Sequence, residues 1–558
     1  MTAASTATPG RDGIAADILL VAGILLAALT EAVAGTVLSL GRGDIMGDTH
    51  ATPDEFAWLD IAYTTLKLIG FLAAPWLMTR IPPRGVVVGS TLVIGMACGI
   101  AAVTDRLDLL VALRTVQGLA GGTLLVGGQA ILFLACPRSR QPVLQALFAM
   151  GAVVAPATIA PAFQGALLDS QSWSWIFLSV VPLALAATGL LLIADGPMPA
   201  KAASCPFDGI SFALIAIAVF CVTCVLSQGS RWDWFEEPRI LWLTVTGAAA
   251  LLAFLGQQAL MKGQGLLDVS LFESDAFSFA FIVSFVAGAA LFGSAFLIPS
   301  FALSVLAFTP TEAGLLLLPS GALFIGSLLM AAFLIQVRRV PPFATVPFGI
   351  LAIMGAMWML SGSTAESGAD DMMAAILLRG LGLGLLFLSI TLIAFGSLDR
   401  RTLAAGIGLF NTGRQLGGLM GVAALQTLID HNVAANVVAL GANVTAGGSM
   451  PLERLMTTAA TLTAKGLEAA AASRAATSLL SRTVTGQSTV IAYDTAFTAV
   501  ALLFVIAAPV LVGIKIGLSR RRMARAVRHR GGWLPPAQLA KAHVGGWPSA
   551  RRHSVHRP

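Results

Sequence analysis

An arginine and a glutamine, Arg114 and Gln117, stand inside the segment 110–122 (LVALRTVQGLAGG), which otherwise reads as a membrane-spanning helix. Ionisable and polar groups are costly at bilayer depth and are kept there for proton relays, ion pairs or substrate contact, so both are candidate functional residues. Glu31 lies well inside the first apolar run, and Asp60, Tyr63 and Lys67 in the second follow i, i+3, i+7 spacing, which puts them on one helix face. A carboxylate at that depth can take up and release a proton, and a cation beside it can hold it ionised. At 1.5 Å per residue, Glu31 comes about 13 Å below the outer end of its helix and Lys67 about 16 Å below the outer end of the next. The matching depths predict a Glu31–Lys67 ion pair that protonation or substrate would release; a static pair that fixes packing is the alternative reading. Arg379 in a later run, and Asn411, Arg414 and Gln415 in another, are expected to line a cavity with Gln117 and Tyr63.

Such residues need helices to hold them at depth. The chain has 558 residues, 57% of them hydrophobic and 11% charged, a composition that excludes an ordinary soluble domain. Apolar runs of roughly 20 residues, enough to cross a hydrocarbon core of about 30 Å, recur throughout, and about fourteen are apparent. They cover 14–40, 56–78, 86–103, 107–132, 144–168, 173–193, 208–228, 238–260, 275–302, 311–335, 343–362, 370–396, 402–429 and 492–516. No small-residue cleavage site follows a short apolar region near the start, so the first helix is expected to stay. Lysines and arginines favour cytoplasmic loops. Arg80, Arg84, Arg138, Arg140, Lys201, Lys262, Arg338, Arg339, Arg400, Arg401 and the basic tail fall on one side, which predicts that both termini are cytoplasmic.

Other chemistries find little support. The net charge of +6 and the tail sequence SRRRMARAVRHRGG fit topology and contact with anionic headgroups better than nucleic acid, because no recognition fold is present. Cys221 and Cys224 form a C-x-x-C inside an apolar helix with no second pair, which reads as packing; Cys98 is also in a helix, and Cys136 and Cys205 fall on the reducing side. None of the six histidines lies at bilayer depth. The chain is expected to be no enzyme and to hold no metal or cofactor.

Internal repetition organises the helices. Arg80-Ile81-Pro82-Pro83 corresponds to Arg339-Val340-Pro341-Pro342 at an offset of 259, and Arg114 in LLVALRTVQGLAGG to Arg379 in AAILLRGLGLGLLF at 265. These imply a duplicated six-helix unit: an N-terminal bundle at 14–195, two inserted helices at 208–262, a C-terminal bundle at 275–516 that includes an outer loop at 430–490, and a basic cytoplasmic tail at 517–558. Parallel repeats of this sort place a substrate cavity near the midplane, between halves that rock against one another.

With these pieces the chain resembles the fourteen-helix drug:proton antiporter branch of the major facilitator superfamily, the EmrB/QacA type. Arg114-Thr115-Val116-Gln117-Gly118 matches the R-x-x-Q-G of that family's fourth helix, and Ser172-Trp173-Ser174-Trp175-Ile176-Phe177 with Pro182 resembles the start of its sixth. Leu271-Phe272, Ala313-Gly314-Leu315 with Pro319, Phe410-Asn411 with Arg414-Gln415-Leu416-Gly417-Gly418, and Ala492-Tyr493-Asp494-Thr495-Ala496-Phe497 follow in order. The resemblance implies an all-helical integral membrane protein of the major-facilitator fold, two six-helix repeats plus two inserted helices. It also implies that Arg114 serves proton or substrate coupling, and it places Glu31 at or next to a frequent acidic position.

Two departures stand out. In the loop after the second helix, Pro75, Thr79, Pro82 and Pro83 replace the family's glycine, aspartate, second glycine and first closing arginine, so the usual charge contact must be absent or replaced. The fifth-helix antiporter signature G-P-x-x-G-G becomes Ala160-Pro161-Ala162-Phe163-Gln164-Gly165, with Pro156 and Pro161 expected to loosen the helix.

Trp58, Trp173, Trp175, Trp232 and Trp234 are expected at the membrane interface. Phe292, Phe296, Phe387 and Phe410 read as core or as contacts for an apolar substrate. The stretch 452–481 is expected to form amphipathic helix; in resembling exporters of double-membraned bacteria this loop faces a periplasmic membrane-fusion adaptor and an outer-membrane channel. The expected protein is a multi-pass exporter in a bacterial inner membrane, expelling a small amphipathic or aromatic, drug-like compound in exchange for protons. The alternatives are a proton-coupled symporter or uptake carrier for an organic anion, and a non-transporting membrane sensor.

Overall fold

The computed structural model describes residues 11–38, 41–194, 208–261, 271–272, 274–396, 398–442, 444 and 449–529, and every regular element among them is helical. Lys201, Cys205, Lys262, the domain limits expected at 195 and 262, and the tail beyond 529 lie outside the described residues.

Helices begin where the chain supplies partners for their first N–H groups. α1 (Arg11–Thr36) and the short α2 (Arg42–Thr49) precede α3 (Pro53–Arg80). α3 opens at Thr52, whose hydroxyl accepts from the Glu55 N–H at 3.3 Å while the Glu55 carboxylate accepts from the Thr52 N–H at 2.8 Å. Thr309 and Glu312 do the same at the start of α12 (Pro310–Gln336), again with proline in the first turn. These T-P-x-E starts, 257 residues apart, add a third correspondence to the two read from the basic segments.

α4 (Pro83–Ala101), α5 (Leu107–Ala135) and α8 (Ser174–Ile193) complete one group, in which α5 packs on α3 and α4, and α1 on α8. A single span, Gln141–Ser170, joins α5 to α8. It consists of α6 (Gln141–Ala149), a wide-turned π-helical stretch (Met150–Ile159) and α7 (Ala160–Ser170). Pro156 lies within the π stretch and Pro161 in the first turn of α7, so the expected loosening takes the form of i→i+5 bonding around prolines that cannot donate.

The second group comprises α11 (Asp275–Ser304), α12, α13 (Val346–Leu360), α14 (Ala369–Gly396), α15 (Leu403–Ala442), α16 (Ser449–Ala464) and α17 (Ala469–His529). The groups meet where α3 packs on α15 and α7 on α12; α9 (Gly209–Gln228) and α10 (Pro238–Leu260) pack together and reach the bundle through α3 and α15.

Among the described residues, 13 helices are long and apolar enough to cross a membrane. The span expected at 402–429 is helical but is not among them, because Asn411, Arg414, Gln415 and a series of glycines dilute the hydropathy of α15. The span expected at 492–516 is the middle of α17, a 61-residue helix. The amphipathic helix expected over 452–481 is divided, because Gly466 adopts φ 97° and turns the chain between α16 and α17. Trp173 also departs from expectation. It is 2% exposed and its indole N–H donates to Asp48 at 2.7 Å, so it anchors α8 to α2 instead of lying in an interfacial belt.

Candidate transport site

Glu31, five residues before the end of α1 at Thr36, is 2% exposed. Its Oε1 accepts from the Tyr63 hydroxyl at 2.7 Å and lies 2.5 Å from Lys67 Nζ. The expected contact between α1 and α3 is therefore formed, and Tyr63 completes it from the shared face. Charge-assisted bonds from a cation and a phenol to one oxygen are strong where water is scarce. Asp60, the third residue of that α3 face, is exposed and within electrostatic reach of Arg114 and Lys67.

Arg114 of α5, 1% exposed, lies with its guanidinium 4.0 Å from the centre of the Tyr63 ring. Its Nη1 donates to the Ala34 carbonyl at 2.7 Å and to Gln117 Oε1 at 3.1 Å. Nε and Nη2 of Arg114 and Nε2 of Gln117 are buried without a hydrogen-bond partner. Gly118 permits this geometry: a Cβ there would overlap the Tyr63 carbonyl oxygen, so only glycine lets α5 approach α3 this closely.

A polar chain crosses between the helix groups. Arg414 Nη2 donates to Asn411 Oδ1 at 2.8 Å, Asn411 Nδ2 to Gln129 Oε1 at 3.3 Å, and Gln129 Nε2 to Gln145 Oε1 at 3.1 Å. It joins α15 to α5 and α6. Arg414 also stacks 5.1 Å from the Phe387 ring centre and lies within electrostatic reach of Glu31. Gln129 and Gln145 escaped the sequence reading, although both are polar residues in apolar runs, the same signal that marked Gln117. Gln415 is half-buried beside Arg414. Phe410 is core, 2% exposed and edge-on to Phe395 at 5.1 Å; Phe292, Phe296 and Phe387 are partly buried against the same core.

Arg379 of α14 stands apart from both clusters. It is 0% exposed, and its Nε donates to Ser294 Oγ of α11 at 2.9 Å.

The altered fifth-helix signature has a structural counterpart. Gln164 Nε2 donates to the Val33 carbonyl and to Thr36 Oγ1, both at 3.0 Å, tying α7 to the end of α1 next to Glu31. Gly165 packs on the Pro310 carbonyl of α12, and Asp169 accepts from the backbone and hydroxyl of Thr311. Where the family's loop aspartate is missing, Arg84 instead donates to the Leu191 and Leu192 carbonyls at the end of α8, and Arg80 stacks on Trp76.

Comparison with known proteins places these helices in a family. The chain is 25% identical over 416 residues to the multidrug export protein EmrB of Escherichia coli K12, covering 74% of this chain and 80% of the relative. It is 26% identical to a multidrug resistance protein B homolog of Mycobacterium tuberculosis H37Rv (75% and 78% covered) and 25% identical to the tetracenomycin C resistance and export protein of Streptomyces glaucescens (74% and 75% covered). Among solved structures, a bacterial homolog of the human lysosomal transporter Spinster, inward-facing and unoccupied, superposes with a TM-score of 0.56 at 13% identity, covering 91% of this chain and 98% of that one, which establishes the shared fold. The Major Facilitator Superfamily model matches residues 20–422, so this multi-pass membrane protein belongs to the major facilitator superfamily.

Proposed function

We propose that the protein is a secondary transporter that exports a small amphipathic or aromatic compound in exchange for protons by alternating access. The observation that carries this reading is the single carboxylate oxygen of Glu31 shared by Lys67 and Tyr63. Protonation of Glu31 removes the charge that holds Lys67, so the α1–α3 contact has two states that differ by one proton. Arg114 senses the same change through the Tyr63 ring and the Ala34 carbonyl, and Arg414 of the second helix group feels it electrostatically. The names of the relatives, which describe drug export and resistance, support the direction and the substrate type.

In this reading α1 to α8 and α11 to α17 are the two repeats, α9 and α10 the insertion, and both termini face the cytoplasm of a bacterial inner membrane. The ends of α15 and α17 with α16 between them then project outward, where a periplasmic adaptor would dock.

The test is substrate-coupled proton flux in proteoliposomes with an imposed pH gradient, using lipophilic cations, weak aromatic acids and neutral drugs as the panel. Flux with at least one class, abolished in Glu31→Gln with the protein still inserted and folded, is expected; undiminished coupled flux in Glu31→Gln overturns the role of Glu31. Each proton moving down 100 mV supplies about 2.3 kcal/mol before any pH gradient is added.

A further inference from the structure

Arg114 and Arg379 are buried and Lys67 and Arg414 are partly buried, and the carboxylates near them are Glu31 and the more exposed Asp60. Lys67, Arg114 and Arg414 all lie within electrostatic reach of Glu31, but Arg379 pairs with no carboxylate among the described residues. Its Nη1 and Nη2 are buried without a hydrogen-bond partner. An uncompensated charge in such a setting is strongly destabilising, and guanidinium offers its two outer nitrogens as a fork that matches the two oxygens of a carboxylate.

The bond from Nε to Ser294 fixes the side chain and leaves Nη1 and Nη2 without a partner. Ser294 accepts from Nε and itself donates to the Leu291 carbonyl at 3.1 Å, so its hydroxyl is committed and cannot neutralise the charge. Ser320 of α12 presses on Gly380, the residue after Arg379, and its hydroxyl is a second buried polar group without a partner. A side chain at Gly380 would collide with Ser320, so the close approach of α12 and α14 depends on that glycine. Ser294 of α11 thus bonds Arg379 itself, and Ser320 of α12 packs on the neighbouring Gly380 of α14. At 1.5 Å per residue, Arg379 lies about 15 Å from the start of the 28-residue α14, well inside the span.

We infer that Arg379 is the receptor for an anionic group on the transported compound, so that the substrates are acids, with a carboxylate or similar oxyanion on an apolar, aromatic body. The inference rests on the transport reading above and narrows its substrate class. Arg379 supplies the fork through Nη1 and Nη2. The substrate brings the negative charge that the protein itself does not provide, which disfavours lipophilic cations at the same position.

Binding to the purified full-length protein, in dilute Tris–HEPES buffer free of chloride and carboxylates, separates this from the coupling mechanism. The probes are 2-naphthoate, its neutral amide and the cationic 2-naphthylmethylamine, read by equilibrium dialysis and by the thermal melting midpoint. Naphthoate is expected to bind at least tenfold more tightly than the amide, with the amine weakest. Arg379→Gln should bring acid and amide to equal affinity, and Arg379→Lys should retain part of the preference. Equal binding of acid and amide to the wild type overturns the inference, as does a preference that survives in a folded Arg379→Gln variant. Stabilisation by chloride through Arg379 with none by naphthoate also overturns it, because the cation is then neutralised by an inorganic ion. Loss of proton coupling in Glu31→Gln is read separately in liposomes, so either proposal can fail while the other stands.

Discussion

Asn411 of α15 donates through Nδ2 to Gln129 Oε1 of α5 at 3.3 Å, and the two residues are 282 positions apart. This bond is the middle link of a chain that starts at Arg414 and ends at Gln145, and it ties the helix group containing Glu31 to the group containing Arg379. Replacing Asn411 by Ala strands the Gln129 oxygen and removes a partner of Arg414. Leaving buried polar groups unmade costs about 1–3 kcal/mol. Thermal unfolding in micelles should fall accordingly for Asn411→Ala. Gln129→Leu combined with Asn411→Leu should not recover the loss, because it also strands Gln145 Oε1 and takes the Asn411 oxygen from Arg414. A double variant as stable as the wild type would show that this polar chain adds nothing to stability.

The Glu31–Lys67 pair can be tested in the same manner. Removing one partner of a buried ion pair leaves an uncompensated charge and costs about 3–5 kcal/mol, whereas replacing both is close to neutral. Lys67→Met should therefore lower the melting midpoint sharply, and Glu31→Gln with Lys67→Met should restore it. Proton-coupled transport should stay absent in the restored double variant. Recovery of transport along with stability would mean that the pair only fixes packing.

The class of fold was legible because membrane helices declare themselves by length and apolarity, and the candidate site residues stood out because charge at depth is conspicuous. Matching depth sufficed to foresee the Glu31–Lys67 contact, since antiparallel neighbours share one vertical coordinate. What distance along a helix cannot reveal is azimuth. Nothing in the spacing of Arg114 foretold that it would lie on the Tyr63 ring, or that Gln164 would turn back to the end of α1. The span around Asn411 shows the converse difficulty: the polar residues that make it a candidate for function also weaken its hydropathy as a membrane helix. Trp173 was misplaced for a related reason, because its position at a helix end indicates an interface only when no partner such as Asp48 waits there.

Gly118 controls how closely α5 approaches α3. Alanine at this position would force its methyl against the Tyr63 carbonyl, and overpacking of this kind costs about 1–3 kcal/mol. The displacement would move Tyr63 away from Arg114 as well as from Glu31. Gly118→Ala should therefore lose proton-coupled flux even where lower temperature restores folding. Normal flux in the folded variant would show that the site tolerates a shift of α3.

Pro156 sits in the π-helical stretch of the span between α5 and α8, a stretch that packs against both α1 and α12. Proline cannot donate a backbone hydrogen bond, and the wide turns accommodate it at the expense of regular i→i+4 bonding. Alanine at 156 returns the donor and removes the ring that demands space, so the stretch can tighten towards an α-helix. Because the same span also carries Gln164, which bonds to α1 beside Glu31, tightening would change the register between Glu31 and α12. The expected result for Pro156→Ala is unchanged or higher thermal stability with slower turnover. A variant that transports at the wild-type rate would mean that the wide turns are a tolerated irregularity with no part in the cycle.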